Sequence, residues 1–220
     1  MENDSKRIIA RLDIKSQKLI KSVQLEGLRV VGSPTEYAVN YYDQGADELI
    51  YMDVVASLYG RNHLAAFISE VAKDVFIPIT AGGGIRNVED AATILKSGAD
   101  KIAINTAAVA RPSLISELAE DFGRQCVVVS IEAKSVGNND WAVMTNNGRE
   151  RSGKNLIDWV QEAIDLGAGE ILLTSVDREG TRKGTDLELI RSVCRRSTVS
   201  VIVSGGVGNA NDALEAINAG

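Results

Sequence analysis

The chain repeats itself. Sliding the sequence by 122 residues lays Gly45-Ala46-Asp47-Glu48 on Gly167-Ala168-Gly169-Glu170 and Gly83-Gly84-Ile85 on Gly205-Gly206-Val207. The same shift lays Asn87 on Asn209, Asp90-Ala91 on Asp212-Ala213 and Gly98 on Gly220. At a shift of 119, Ile8–Lys15 (IIARLDIK) falls on Val127–Lys134 (VVVSIEAK), which sets Asp13 opposite Glu132. Chance gives one such match but not an ordered series, and the change of offset needs only a loop of different length. A repeat of this kind marks a chain assembled from two copies of one structural unit.

The apolar pattern says what the unit contains. β-Branched runs recur at Ile8–Ile14, Glu48–Asp53, Ile77–Ala81, Lys101–Ile104, Cys126–Glu132, Glu170–Thr174 and Val199–Val203, and helical periodicity marks intervening stretches such as Val88–Ser97 and Ser113–Phe122. Nearly continuous apolar strands are buried on both faces, as in parallel sheets, and strand–helix alternation implies an α/β fold with right-handed crossovers. Seven units are visible, and four repeated once would make eight, the number that closes a (βα)8 TIM barrel. The expectation is a single (βα)-barrel domain over residues 1–220, with an internal (βα)4 repeat. The second half stops at Gly220, where the eighth strand is expected, so the eighth βα unit is expected to be absent from this sequence. The first and seventh strands would then have unpaired edges.

In a barrel of this kind the chemistry gathers at the C-terminal ends of the strands. Asp13 and Glu132 fall there, on opposed strands, as a candidate general acid and base. Thr80-Ala81-Gly82-Gly83-Gly84 and Val203-Ser204-Gly205-Gly206 each join a strand to a helix. There the glycines Gly83, Gly84, Gly205 and Gly206 would let backbone N–H groups and a helix N-terminus approach an anion. Two such turns at matching repeat positions suggest a substrate with a phosphate at each end. Asn105-Thr106, Thr174 and Gly180-Thr181 add polar groups to the same mouth. At the opposite end Arg7, Glu48, Lys101 and Glu170 begin four strands and ring the barrel floor with two charges of each sign. On the residues alone, this ring reads as a structural set of salt bridges.

Composition excludes other classes. A net charge of −6 and a pI near 5.0 argue against a nucleic-acid partner, because phosphate backbones recruit basic faces. Two cysteines without CxxC spacing and one histidine, His63, make a metal site unexpected, and no cofactor is implied. The polar start is no signal peptide, and no aliphatic run approaches the roughly 20 residues that span a bilayer. A soluble, cytoplasmic protein is expected. Trp141 and Trp159 read as packing residues, and Asp140–Arg149, with Asn147-Gly148 at its turn, reads as a hairpin inserted after the fifth strand.

Several segments resemble the HisF family, the cyclase subunits of imidazole glycerol phosphate synthase. These are Lys6-Arg7-Ile8-Ile9 with Leu12-Asp13-Ile14-Lys15, GADELIYMD (45–53), GGGIR (82–86), INTAAV (104–109), GAGEILLTSVDREGT (167–181) and SGGVGN (204–209). The resemblance implies a barrel that forms a heterodimer with a HisH-type glutaminase subunit. Ammonia would pass through it to a bis-phosphorylated ribulosyl aminoimidazole carboxamide, giving imidazole glycerol phosphate and aminoimidazole carboxamide ribotide in histidine biosynthesis. It further implies that Arg7, Glu48, Lys101 and Glu170 form the ammonia gate, that Asp100 lies near the glutaminase interface, and that Lys21 serves the substrate. Three positions depart from the family pattern. Glu132 replaces an aspartate, Arg11 stands where a small residue (usually Cys) is found, and the segment from Lys21 to Gly32 is otherwise rewritten. Such departures resemble those of HisF-like paralogues that conduct ammonia to a sugar amidotransferase in surface-glycan (acetamidino sugar) biosynthesis without cyclising anything. A sugar isomerase on the same scaffold would have no use for the four-charge ring.

Overall fold

A computed structural model of the chain describes residues 6–56 and 64–220, and His63 lies outside them. Its strands are β1 (Ile9–Lys15), β2 (Lys18–Val23), β3 (Glu26–Gly32), β4 (Glu48–Asp53), β5 (Ile79–Gly82), β6 (Lys101–Ile104), β7 (Val127–Gly137), β8 (Asp140–Thr145), β9 (Glu150–Asn155), β10 (Glu170–Ser175) and β11 (Ser200–Ser204). Seven of these run parallel in the spatial order β11-β10-β7-β6-β5-β4-β1. They are the seven strands expected from the apolar runs, with ends displaced by a residue or two except at β7, which runs five residues past Glu132.

The sheet curls. Arg7, just before the first strand, bonds Glu170 on β10, the strand next to the far edge, and Arg11 reaches Thr174 and Ser204 on the last two strands. Side-chain alternation then sorts each strand into two shells. On β4, Leu49 and Tyr51 point outward into the large core shared with the helices, whereas Ile50 points into the lumen. Ile50, Ala103, Val128 and Leu172 fill the lumen above the floor, with Ile9, Met52 and Ile202 against them. Strands buried on both sides need apolar residues at consecutive positions, which is why these runs look continuous in sequence.

Helices cover the outer face. Leu156–Asp165 and Leu187–Cys194 bury Trp159, Val160, Leu189 and Val193, among others, against the sheet. Their starts are fixed by side-chain caps. Asn87 accepts from Asp90 N–H ahead of Val88–Lys96, and Asn209 forms a capping box with Asp212 ahead of Ala210–Ala219.

Two hairpins interrupt the parallel order. The segment after β1 is not an irregular loop but the antiparallel pair β2–β3, which pairs with the end of β1. The insertion after the fifth parallel strand is larger than the expected 140–149 hairpin: β7 runs on to Gly137, and β8 and β9 extend it to Asn155. Among the described residues no helix is long and apolar enough to cross a membrane.

Candidate active site

A cavity of about 220 Å³ opens at the C-terminal ends of β4, β5, β6 and β7. The Gly83-Gly84 turn, Asn105, Thr106 and Glu132 all line it, as expected, and so do Arg11, Arg86 and Asn147. Gly83 has φ +101° and could not carry a side chain, since a Cβ would stand 2.3 Å from the Asp53 carbonyl oxygen. The second glycine turn has the same φ at Gly205, but it lies outside this cavity, and the Gly206 carbonyl accepts a hydrogen bond from Gly184 N–H.

Two acids line the cavity, Asp53 and Glu132, and Glu132 is the buried one. Its side chain is 6% exposed, and its Oε2 accepts from Gly148 N–H at 2.7 Å. Burial pushes its pKa up to about 7 and Asp13 adds to the rise, while Gly148 N–H, Arg11 and Asn105 hold it back. Asn105 Nδ2 donates to the Met144 carbonyl at 3.3 Å, and its Oδ1 is buried without a partner. Asn146 N–H donates to Thr106 Oγ1 at 3.0 Å, which draws the β8–β9 turn over the mouth and sets Gly148 against Glu132. The sequence marked Asn147-Gly148 as a turn; the fold makes it part of the site.

Asp13 lies toward the C-terminal end of β1, as expected, and acts electrostatically on Glu132. It is buried, but it does not line the cavity. Its Oδ1 accepts from Arg11 Nε at 2.8 Å, and Arg11 Nη1 donates to Thr174 Oγ1 at 2.9 Å and to Ser204 Oγ at 3.2 Å. Desolvation alone would lower the Arg11 pKa, but the negative charges of Asp13, Glu179 and Glu132 raise it on balance. The charged residues on the cavity lining are thus Glu132, Arg11, Asp53 and Arg86.

The β2–β3 hairpin folds down beside this mouth. Lys21 Nζ pairs with Glu179 Oε1 at 2.9 Å, Gln24 N–H donates to the Glu179 carbonyl at 2.8 Å, and Leu25 is buried against Met144 and Val176. Lys21 thus holds Glu179 in this structure, and Glu179 is a site-proximal residue that the sequence did not single out. Gly180 carries φ +71°, and a Cβ there would stand 2.0 Å from the Ser22 carbonyl oxygen. Gly180→Ala is expected to unseat the hairpin, seen as faster amide exchange over residues 18–32 with the β5–β6 region unchanged; equal exchange in both proteins would refute that docking role.

At the floor, the four expected charges close a network. Arg7 bonds Glu48 and, at 2.7 Å, Glu170; Lys101 bonds Glu48 at 3.1 Å and Glu170 at 2.9 Å. The carboxylates are nearly buried. Around the ring, at the N-terminal ends of the strands, the exposed side chains include Ile8, Phe76 and Asp100. Asp100 also accepts from Ile79 N–H at 2.8 Å. Among the described residues no group of three His, Cys, Asp or Glu is placed to hold a metal ion. Trp141 and Trp159 are packed, with Trp141 Nε1 donating to Asp186.

Comparison with known proteins finds a family model described as histidine biosynthesis protein, matched over residues 7–220. A protein of Legionella pneumophila named imidazole glycerol phosphate synthase subunit HisF is 62% identical over 202 residues, covering 92% of this chain and 95% of its own length. Proteins of the same name from Streptococcus sanguinis and Gluconacetobacter diazotrophicus are each 46% identical. They span 96% and 97% of this chain and 83% of their own length.

Proposed function

Because the chain belongs to the histidine biosynthesis protein family, among the HisF subunits of imidazole glycerol phosphate synthase, we propose that it is the cyclase subunit of that synthase. It would use ammonia from a HisH-type glutaminase to convert a bis-phosphorylated ribulosyl aminoimidazole carboxamide to imidazole glycerol phosphate and aminoimidazole carboxamide ribotide. The observation that carries this reading is the stacking along one lumen. The ring of Arg7, Glu48, Lys101 and Glu170 lies at one end, and Glu132 with the Gly83-Gly84 turn lies at the other. Ammonia entering at the ring would pass the apolar layer of Ile50, Val128 and Leu172 to reach the acid.

The glutaminase would dock on the floor face, where exposed Phe76 and Ile8 offer apolar contact and Asp100 a charge. The Gly83-Gly84 turn with Asn105 and Thr106 would take one phosphate, and the Gly205-Gly206 turn with Gly180 the other. The like φ of Gly83 and Gly205, with matching caps at Asn87 and Asn209, supports a (βα)8 plan built from a (βα)4 repeat. The net charge of −6 fits an enzyme of small metabolites better than a nucleic-acid binder.

One observation favours a second reading. The Arg11–Asp13 pair occupies one of the two carboxylates that cyclisation is expected to use. A subunit that only conducts ammonia, to a sugar amidotransferase of surface-glycan biosynthesis, needs the floor and not the dyad. The two readings separate when the protein is given ammonium salt and the bis-phosphorylated substrate, with loss of substrate absorbance as the readout. Turnover of order 1 per second or faster, typical of enzymes, is expected. Absence of turnover, with glutaminase still activated by this chain, would overturn the cyclase reading.

A further inference from the structure

Two tight turns meet beside Glu132, and both use left-handed backbone. At the tip of the β2–β3 hairpin Gln24 and Leu25 have φ of +52° and +63°; at the β8–β9 turn Asn146, Asn147 and Gly148 have +53°, +59° and +75°. Asparagine and glycine accept this region readily, but a leucine is held there only where its surroundings over-determine it. Here they do. Leu25 is 4% exposed and packed against Met144 and Val176, and its carbonyl accepts from Asn147 Nδ2 at 3.4 Å. Its side chain fills the space over Gly148, where a Cβ would stand 2.8 Å from Leu25 Cδ1. Gln24 anchors the tip on its other side, with its N–H on the Glu179 carbonyl and its Nε2 on the Asp177 carbonyl at 3.2 Å.

The glycine beneath Leu25 is the one whose N–H bonds Glu132 Oε2 at 2.7 Å. A slip of the turn by about 1 Å would stretch that bond past hydrogen-bonding distance. The turn is tethered at Asn146, whose N–H bonds Thr106 Oγ1, and at its base, where Arg149 N–H bonds the Thr145 carbonyl. Neither tether reaches Gly148 itself, so its aim depends on what lies over it. The other groups acting on Glu132 are Arg11 and Asp13 on β1 and Asn105 after β6. Asp53 and Arg86 share its cavity wall, and the Lys21–Glu179 pair ties the hairpin to the residues after β10.

We infer that Leu25 is a positioning residue for Glu132: seated over Gly148, it keeps that N–H on the carboxyl, so the acid is aimed only while the β2–β3 hairpin is down. Hairpin and acid then form one coupled unit, and the coupling runs both ways. The consequence for catalysis rests on the cyclase reading, in which Asp13 and Glu132 together supply the acid and the base. The contact itself requires neither substrate nor turnover.

The test reads Gly148 directly. Asn147-Gly148 is the sole Asn-Gly step of the sequence, so the whole chain, labelled at asparagine carbonyl carbon and glycine nitrogen, gives one selected amide resonance. In the wild type without substrate, its proton shift is expected to titrate with Glu132 near pH 7, and in Glu132→Gln that titration is expected to vanish. In Leu25→Ala the amide is expected to lose about half or more of the titration and to exchange with solvent about tenfold faster. Leu25→Met, which restores apolar bulk, is expected to match the wild type. A Gly148 shift indifferent to pH in the wild type, or unchanged in Leu25→Ala, would overturn the inference. So would a loss shared equally by the amides of Gly83 and Gly205, since that marks general destabilisation. A wild type that shows the coupling but converts no substrate defeats the cyclase reading alone.

Discussion

Glu132→Gln is expected to lower turnover by about 10²–10⁴-fold while making the folded protein more stable above neutral pH. Both effects have one cause. Burial holds the Glu132 pKa near 7 against an ordinary 4.5, so the fold favours the protonated acid. A carboxyl with a raised folded-state pKa stabilises the protein fully below about pH 4.5, and that contribution is lost as pH rises through 7. Across that window the wild type loses about 3 kcal/mol, at roughly 1.4 kcal/mol for each unit of pKa difference. Glutamine carries no charge to bury, and its carbonyl oxygen can still accept from Gly148 N–H. Denaturation of wild type and variant at pH 4 and pH 8 checks this: the variant should gain at pH 8 and not at pH 4. A gain of equal size at both pH values would show that ionisation of Glu132 is not what costs stability.

Lys101→Met is expected to destabilise the protein by about 3–5 kcal/mol, the largest single loss anticipated outside the apolar core. Lys101 is bonded to both Glu48 and Glu170, whose side chains are 5% and 11% exposed. Removing it leaves two buried carboxylates to share one guanidinium, Arg7. The cost comes from the uncompensated charge and not from the pair itself, so replacing Lys101 and Glu48 together should cost less than the two single changes added. The same variant separates a structural ring from an ammonia entry. With the glutaminase present, turnover driven by glutamine and turnover driven by ammonium salt can be compared in one preparation. A gate predicts that the glutamine-driven rate falls further than the ammonium-driven rate, and a parallel fall in both would leave the ring a purely structural device.

Much of the fold was legible because it rests on short-range rules. The seven parallel strands follow from apolar runs, their order from strand–helix alternation, and the floor ring from charged residues placed alike at strand starts. Asn87 and Asn209 entered the sequence reading only as a match across the repeat, and the structure shows that each caps the helix after it. The β2–β3 hairpin was harder to see, because Lys18–Gly32 alternates too loosely and its turn uses Gln24 and Leu25 at positive φ in place of a glycine pair.

The mouth divides along the same line. Residue types and spacing sufficed to find Glu132, the Gly83-Gly84 turn and Asn105-Thr106, because each lies at the end of a strand whose direction the pattern already fixed. Which groups meet there was decided by the curl of the sheet. Arg11 lies two residues before Asp13, a separation that places both on one face of a strand, yet nothing local says whether the longer side chain points to solvent or across the lumen. Only when the far strands bring Thr174 and Ser204 within reach does the guanidinium gain three acceptors, enough to offset its desolvation. The two carboxylates that sequence set opposite one another thus end in different surroundings, Asp13 against Arg11 and Glu132 against Gly148 N–H, because the energy of a buried charge depends on neighbours more than a hundred and sixty residues away.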